Sequence, residues 1–295
     1  KQVRTASCLR KSWAKLLFLS QNLYLCSHNH PSDIQTDRKM SHRTGRYSFT
    51  VEPFTEDCLG NLSWGRLGNL LLRCASMHAG EHGFGFKDMM RVNHVWVLSR
   101  LTIEVDSLPR TGETFFIETW VDKVYRQFTD RHFSILRPDG TAYGHATSIW
   151  ALIDWESRQA ADLRGERMPE TAKWDDVLVP ERPNPIASSR SRARVKNPVE
   201  RGVHTAAFTD LDINGHFNSI RYLELALNLF TPESLKARPI RRIDLAFAAE
   251  TYCGEQLHIF TDADVADPMA FEMQSSRGQT AVRGCLQQTE AQDSE

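Results

Sequence analysis

Two stretches of this chain, LTIEVDSLPRTGETFFIET at 101–119 and IDLAFAAETYCGEQLHIFT at 243–261, align without a gap at a shift of 142 positions. Leu101, Ile103 and Val105 fall on Ile243, Leu245 and Phe247, Gly112-Glu113 falls on Gly254-Glu255, and Ile117 and Thr119 fall on Ile259 and Thr261. Both copies alternate apolar and polar residues, turn at Gly-Glu and alternate again, the pattern of two antiparallel strands. A match of this length marks one structural unit written twice.

The flanks repeat as well. PDGTAYGHATSIWALID follows the first copy and SRGQTAVRGCLQQ the second, each with a glycine turn ahead of a strand. Upstream, each half has a strand ending in Phe-Thr (Phe54-Thr55 and Phe208-Thr209), a short loop and a helix. The first helix is expected over about 62–82, with Leu67, Leu70, Leu71, Cys74 and Met77 on one face. The second is expected over about 217–230, and from Tyr222 it is apolar nearly all round, so it should be enclosed by protein. Each half thus reads strand, buried helix, four antiparallel strands, and a sheet curled around its helix satisfies that order. The fold class is α+β, a tandem (double) hotdog, with two antiparallel sheets each wrapped around a long buried helix. The boundaries are 46–180 for the N-terminal unit, 181–195 for a Pro-, Ser- and Arg-rich linker and 196–288 for the C-terminal unit.

Bulk properties exclude several function classes. The chain has 295 residues, long enough for two small cores, and 36 basic against 37 acidic residues leave a net charge of −1. Nothing in that balance points to nucleic acid or a membrane surface. The six cysteines, Cys8, Cys26, Cys58, Cys74, Cys253 and Cys285, show no CxxC spacing and read as free thiols in a reducing, cytoplasmic compartment. Residues 10–26 are basic then apolar, but Leu16–Leu19 is far too short for the roughly 20 residues that cross a bilayer. Ser20, Gln21 and Asn22 break a signal-peptide pattern; residues 1–39 are expected to carry no fold, with Met40 near the true start.

The two copies differ at the helix entrances. DLDINGHFNS at 210–219 crowds Asp212, Asn214 and His216 ahead of an apolar helix, whereas DCLGNLSWGR at 57–66 has no histidine and one amide, Asn61. At the shift of 142, Leu108 meets Glu250. A pseudo-dimer with one working site has this asymmetry: chemistry in the C-terminal half, a pocket mainly from the N-terminal half. A helix entrance offers free N–H groups and a positive dipole end. There Asn214, His216 and first-turn N–H groups can converge on one carbonyl oxygen. Structural duties compete for the same residues: Asp210 or Asp212 as a helix cap, Asn214 as a turn former, His216 as a core histidine, Glu250 as a solvated strand end.

Over about 46–288 the chain resembles the acyl-acyl carrier protein thioesterases, which release fatty acids from acyl carrier protein. The resemblance rests on the doubled plan, on SFTVEPFTEDCLGNLSWGRLGNLLLRCASMHAGEHGFGF at 48–86, and most specifically on DLDINGHFNSIRYLE at 210–224. It implies that Asp212, Asn214 and His216 are the family's acidic, amide and imidazole groups and that Glu250 is its catalytic glutamate. In plant members a cysteine follows that glutamate; here Thr251 stands there and Cys253 lies two residues on. Both are lesser candidates, and a water nucleophile is favoured over a thiol. In the expected mechanism Glu250, aided by Asp212, activates water, Asn214 and first-turn backbone N–H groups hold the thioester oxygen, and His216 hydrogen-bonds the carbonyl or an acidic partner or protonates the departing thiolate.

The implied partner is acyl carrier protein bearing a fatty acyl phosphopantetheine thioester, with no nucleic acid, membrane, metal or cofactor. The protein is expected as a monomeric double hotdog or a homodimer. Rival readings are an acyl-CoA thioesterase, a hotdog 3-hydroxyacyl-thioester dehydratase and a non-catalytic acyl-binding module. His78 and His82 sit at metal-pair spacing, but Gly80 and Gly83 end the helix there and no third ligand stands out. Arg190, Arg192, Arg194 and Lys196 form a basic run suited to an acidic carrier protein or to plain solvation. Trp96 is a candidate for the wall of an acyl pocket.

Overall fold

The computed structural model describes residues 43–182, 184–187, 194–264 and 268–290. The expectations for residues 1–39, and for Arg190 and Arg192 in the basic run, lie outside them. Ten strands form one antiparallel sheet in the order β1-β3-β4-β5-β2-β7-β10-β9-β8-β6. The strands are β1 Gly45–Thr50, β2 His94–Val105, β3 Thr114–Val124, β4 Phe128–Leu136, β5 Ala142–Asp154, β6 Pro198–Thr205, β7 Ile240–Phe247, β8 Gln256–Asp262, β9 Met269–Ser275 and β10 Thr280–Gln288. The two halves contribute five strands each in mirrored order and meet at β2 and β7. The two expected sheets are thus joined edge to edge, which removes the exposed inner edges that each half alone would leave.

The register at that junction carries the duplication. Leu101 pairs with Leu245, Thr102 with Asp244 and Ile103 with Ile243. Leu101 and Ile103 are the repeat equivalents of Ile243 and Leu245, so a pseudo-two-fold axis passes through the Thr102–Asp244 pair. Thr102 Oγ1 donates to Asp244 Oδ1 at 2.9 Å on that axis. The Arg242 guanidinium donates to the other carboxylate oxygen at 2.9 Å, giving this buried charge the partner it requires.

Helix α1 spans Trp64–Glu81, with Ser63 Oγ accepting from the Arg66 N–H at its start. Leu67, Leu70, Leu71 and Cys74 are buried as expected, while Met77 is only partly so. Helix α3, Ser219–Leu227, is shorter than expected. Asn228 caps its C-terminus, and Thr231 with Pro232 starts a new short helix, α4, Pro232–Ala237. Only Ile220, Tyr222, Leu223 and Ala226 of α3 are buried; Leu225, Leu227, Leu229 and Phe230 are half-buried, so the helix is not enclosed on every side. The two helices pack closely because α1 carries Gly68: a Cβ there would lie 2.7 Å from Ile220 Cδ1.

Helix α2, Phe86–Arg91, is a further element, closing over a satellite cluster of Phe84, Met89, Leu152, Leu163 and Val177. After β5 the chain runs back along the sheet, where the Val179 N–H donates to Val121 O at 2.9 Å. The stretch read as an exposed linker is tethered at its start: Ile186 is buried and Arg242 Nη2 donates to Ala187 O at 3.0 Å.

Candidate active site

The helix entrances of the two halves share one turn. In the C-terminal half Asp212 Oδ1 accepts from the Asn214 N–H at 2.8 Å and the His216 N–H at 3.1 Å, while the Asp212 N–H donates to His216 O at 2.7 Å. In the N-terminal half Asp57 Oδ1 accepts from the Leu59 N–H at 2.9 Å and the Asn61 N–H at 3.1 Å, and the Asp57 N–H donates to Asn61 O at 2.7 Å. Gly60 and Gly215 supply the positive φ each turn needs, 81° and 76°. Ser63 and Asn218 cap the helices that follow. Phe217 N–H then donates to Thr251 O at 2.8 Å, as Leu62 N–H does to Pro109 O at 2.7 Å.

The two halves share the turn and differ in the side chains it presents. Asp57 and Asp212 do the same structural work. Asn214 replaces Leu59, His216 replaces Asn61, and Glu250 replaces Leu108. The residues unique to the C-terminal half are those that converge: His216 Nε2 lies 3.5 Å from Glu250 Oε2, with the two side chains 22% and 33% exposed. Tyr252 Oη donates to the same Glu250 oxygen at 2.8 Å, and its ring packs edge-on against His216. Burial and the Glu250 hydrogen bond both push the Tyr252 hydroxyl pKa up, so it stays a donor. Arg158 Nη2 ion-pairs with Glu250 Oε1.

Arg158 and Tyr252 are members of the cluster that sequence reasoning missed. Tyr252 stood inside the repeat but read only as a turn residue. Arg158 comes from the other half, in a turn built on Asp154 Oδ1, which accepts from the Glu156 and Ser157 N–H groups. It is held at φ 60°, where few non-glycine residues sit. Nothing local in TrpGluSerArgGln marks it, because its partner lies 92 positions away.

The other candidates fall elsewhere. Asp210 is buried under the turn, accepting from His204, the Ala207 N–H and Arg221. Burial alone would raise its carboxyl pKa, but these bonds overcome that and hold it below the ordinary value. Thr251 is 1% exposed and takes a hydrogen bond from Tyr222 Oη at 2.9 Å, within the core. Cys253 is exposed on the turn. Asn214 keeps Oδ1 buried with no partner among the described residues. Its amide can rotate to present either end to a ligand. Asn218 caps the Ile220 N–H and the His216 and Phe217 N–H groups are also taken, so the Asn214 side-chain amide is a donor available at this entrance. No group of three or more metal-ligating side chains occurs among the described residues, His78 and His82 included.

Two family models match in tandem, the acyl-ACP thioesterase N-terminal domain over residues 43–170 and the acyl-ACP thioesterase C-terminal domain over 194–292. This chain belongs to the acyl-ACP thioesterase family. A palmitoyl-acyl carrier protein thioesterase of Gossypium hirsutum is 26% identical over 200 residues, covering 66% of this chain and 47% of its own length. An oleoyl-acyl carrier protein thioesterase of Coriandrum sativum is 26% identical over 218 residues, 69% of this chain and 58% of its own. The chain thus spans about half the length of the plant relatives it matches. An acyl-ACP thioesterase structure from Bacteroides thetaiotaomicron is 37% identical, with a TM-score of 0.76 over 85% of this chain and 100% of that one. A 12:0-ACP thioesterase from Umbellularia californica, at 18% identity and TM-score 0.65, shares the fold. Among the described residues no helix is long and apolar enough to cross a membrane.

Proposed function

We propose that this protein hydrolyses fatty acyl-acyl carrier protein to the free fatty acid and holo carrier protein. The observation that carries this reading is the His216–Glu250 pair, present in one half of a duplicated frame and absent from the other. Thioester hydrolysis needs a base for water, a donor for the developing oxyanion and a proton for the leaving thiolate. Glu250 takes the first role, fixed by Arg158 and Tyr252. The Asn214 amide takes the second. His216, beside the base, carries the proton to the thiolate. Asp212 is a positioning residue whose engaged carboxylate orders the turn that presents Asn214 and His216. Cys253, exposed on a turn, has no part in this scheme. The free cysteines Cys58, Cys74, Cys253 and Cys285 fit a reducing compartment such as the cytoplasm.

The test is product analysis with acyl carrier protein and CoA thioesters of matched chains, from short to long. Free acid released preferentially from the carrier-protein set supports the reading. Preference for CoA moves the same chemistry to another substrate pool. Enoyl product in place of free acid refutes hydrolysis.

A further inference from the structure

The N-terminal half holds a cavity of about 180 Å³, walled by Ala75 and Ala79 of α1, Phe84, and the indoles of Trp96 and Trp150. Ser76 and Thr129 also line it, and one wall group is charged. The Arg131 side chain, 4% exposed, reaches it from β4. Its Nη1 lies 3.1 Å from His78 Nδ1 and donates to Thr119 Oγ1 at 3.1 Å. His78 is a neutral acceptor, its pKa pushed down to about 2 by burial and by Arg131 itself. Among the described residues no carboxylate pairs with Arg131, and its Nε and Nη2 donors have no partner. A buried charge without an anion is costly, and its free donors still demand acceptors.

The duplication shows that the fold does not require this charge. Phe133 of β4 lies opposite Ala146, and its repeat equivalent Phe271 of β9 lies opposite Gly284. Two positions earlier, Arg131 lies opposite Ser148, whereas Met269 lies opposite Leu286. One half pairs two polar side chains at this place, with Ser148 Oγ also accepting from Trp150 Nε1 at 2.9 Å, and the other pairs two apolar ones. The C-terminal half shows the complementary asymmetry, where His216 and Glu250 replace Asn61 and Leu108.

We propose that this cavity is an acyl-chain subsite that selects chains carrying an oxygen acceptor, a hydroxyl, oxo or carboxylate group, through the free donors of Arg131. The proposal rests on the thioesterase reading for its substrate, and on the cavity alone for its chemistry. A site built to hydrogen-bond a substituent discriminates strongly against the analogue lacking it, because its polar groups are then left unpaired.

The test compares carrier-protein thioesters of equal chain length, unsubstituted or bearing a hydroxyl or carboxylate in mid-chain or at the chain end. Wild type should favour an oxygenated chain by tenfold or more in kcat/KM. Arg131→Met, which copies Met269 of the sister half, should reverse that preference, and Arg131→Lys should keep part of it. A wild-type ratio near one, or a ratio unchanged in Arg131→Met, overturns the proposal. Thermal shifts with free acids need no turnover: hydroxy or dicarboxylic acids should raise Tm more than plain acids, and Arg131→Met should lose the difference. If no thioester is cleaved but this selectivity persists, the subsite stands and the reaction reading falls. Equal shifts for all acids overturn the subsite.

Discussion

Arg158, from the N-terminal half, ion-pairs with Glu250 of the C-terminal half, on the carboxylate oxygen that His216 and Tyr252 leave free. The site is therefore shared across the pseudo-two-fold. Arg158→Gly removes the guanidinium and suits the left-handed turn better than arginine does. We expect kcat to fall about tenfold or more, with Tm unchanged or raised, because a charge-assisted contact to the base is lost while backbone strain is relieved. Partial rescue by added guanidinium would mark positioning; a parallel loss of Tm and activity would mark a structural role.

Asp57 and Asp212 make the same hydrogen bonds in the same turn. Asp212→Asn retains the accepting Oδ1 and should keep activity within about tenfold, whereas Asp212→Ala should lose far more as the turn loosens. Asp57→Ala should cost about 1 kcal/mol of stability, as loss of a cap-like acceptor does, with kcat little changed. Steady-state kinetics and urea melts on the three variants decide this. An Asp212→Asn loss of a hundredfold or more would make Asp212 part of the chemistry.

Cys253 is exposed and Thr251 is buried against Tyr222. Cys253→Ala should leave kcat within about twofold, and alkylation should inactivate no faster than in that variant. Thr251→Val should cost about 1 kcal/mol in stability through the lost hydrogen bond to Tyr222. Inactivity of Cys253→Ala would return a thiol nucleophile to the mechanism.

His78 is fully buried and uncharged, its pKa lowered from 6.5 to about 2, chiefly by burial. Its folded-state value lies below its unfolded one. Its contribution is therefore complete above about pH 6.5 and declines as pH falls below that, because the unfolded chain takes up the proton first. Unfolding free energy should drop below pH 6.5 by up to about 1.4 kcal/mol per pH unit from this one group. Urea denaturation at pH 7.5, 6.0 and 5.0 should show a shallower decline in His78→Phe if that variant folds, and wild type should show the decline regardless.

The duplication was legible because strand alternation at a fixed shift is a local pattern, and it survived into the β2–β7 register as the Thr102–Asp244 pair. The loaded entrance at Asp212, Asn214 and His216 was legible for the same reason: five neighbouring residues hold it. Arg158 was not, since a guanidinium on one turn finds Glu250 only after both halves fold. The structural duty that Asp212 shares with Asp57 was also hidden. It emerges when Asp57 is seen in the same turn, with loop offsets that break the single shift relating the strands. The extent of α3 was overestimated because hydrophobicity continues past Asn228, while the backbone is ended by that cap and restarted by Thr231 and Pro232.

Everything proposed for this site turns on Glu250 as the base of a thioester hydrolase. Turnover of a matched long-chain acyl-acyl carrier protein by wild type and Glu250→Gln, with KM and Tm recorded beside kcat, tests it most directly. We expect a fall in kcat of about a hundredfold or more, typical of losing a general base, with KM and Tm little changed. Near-normal kcat in Glu250→Gln would contradict it.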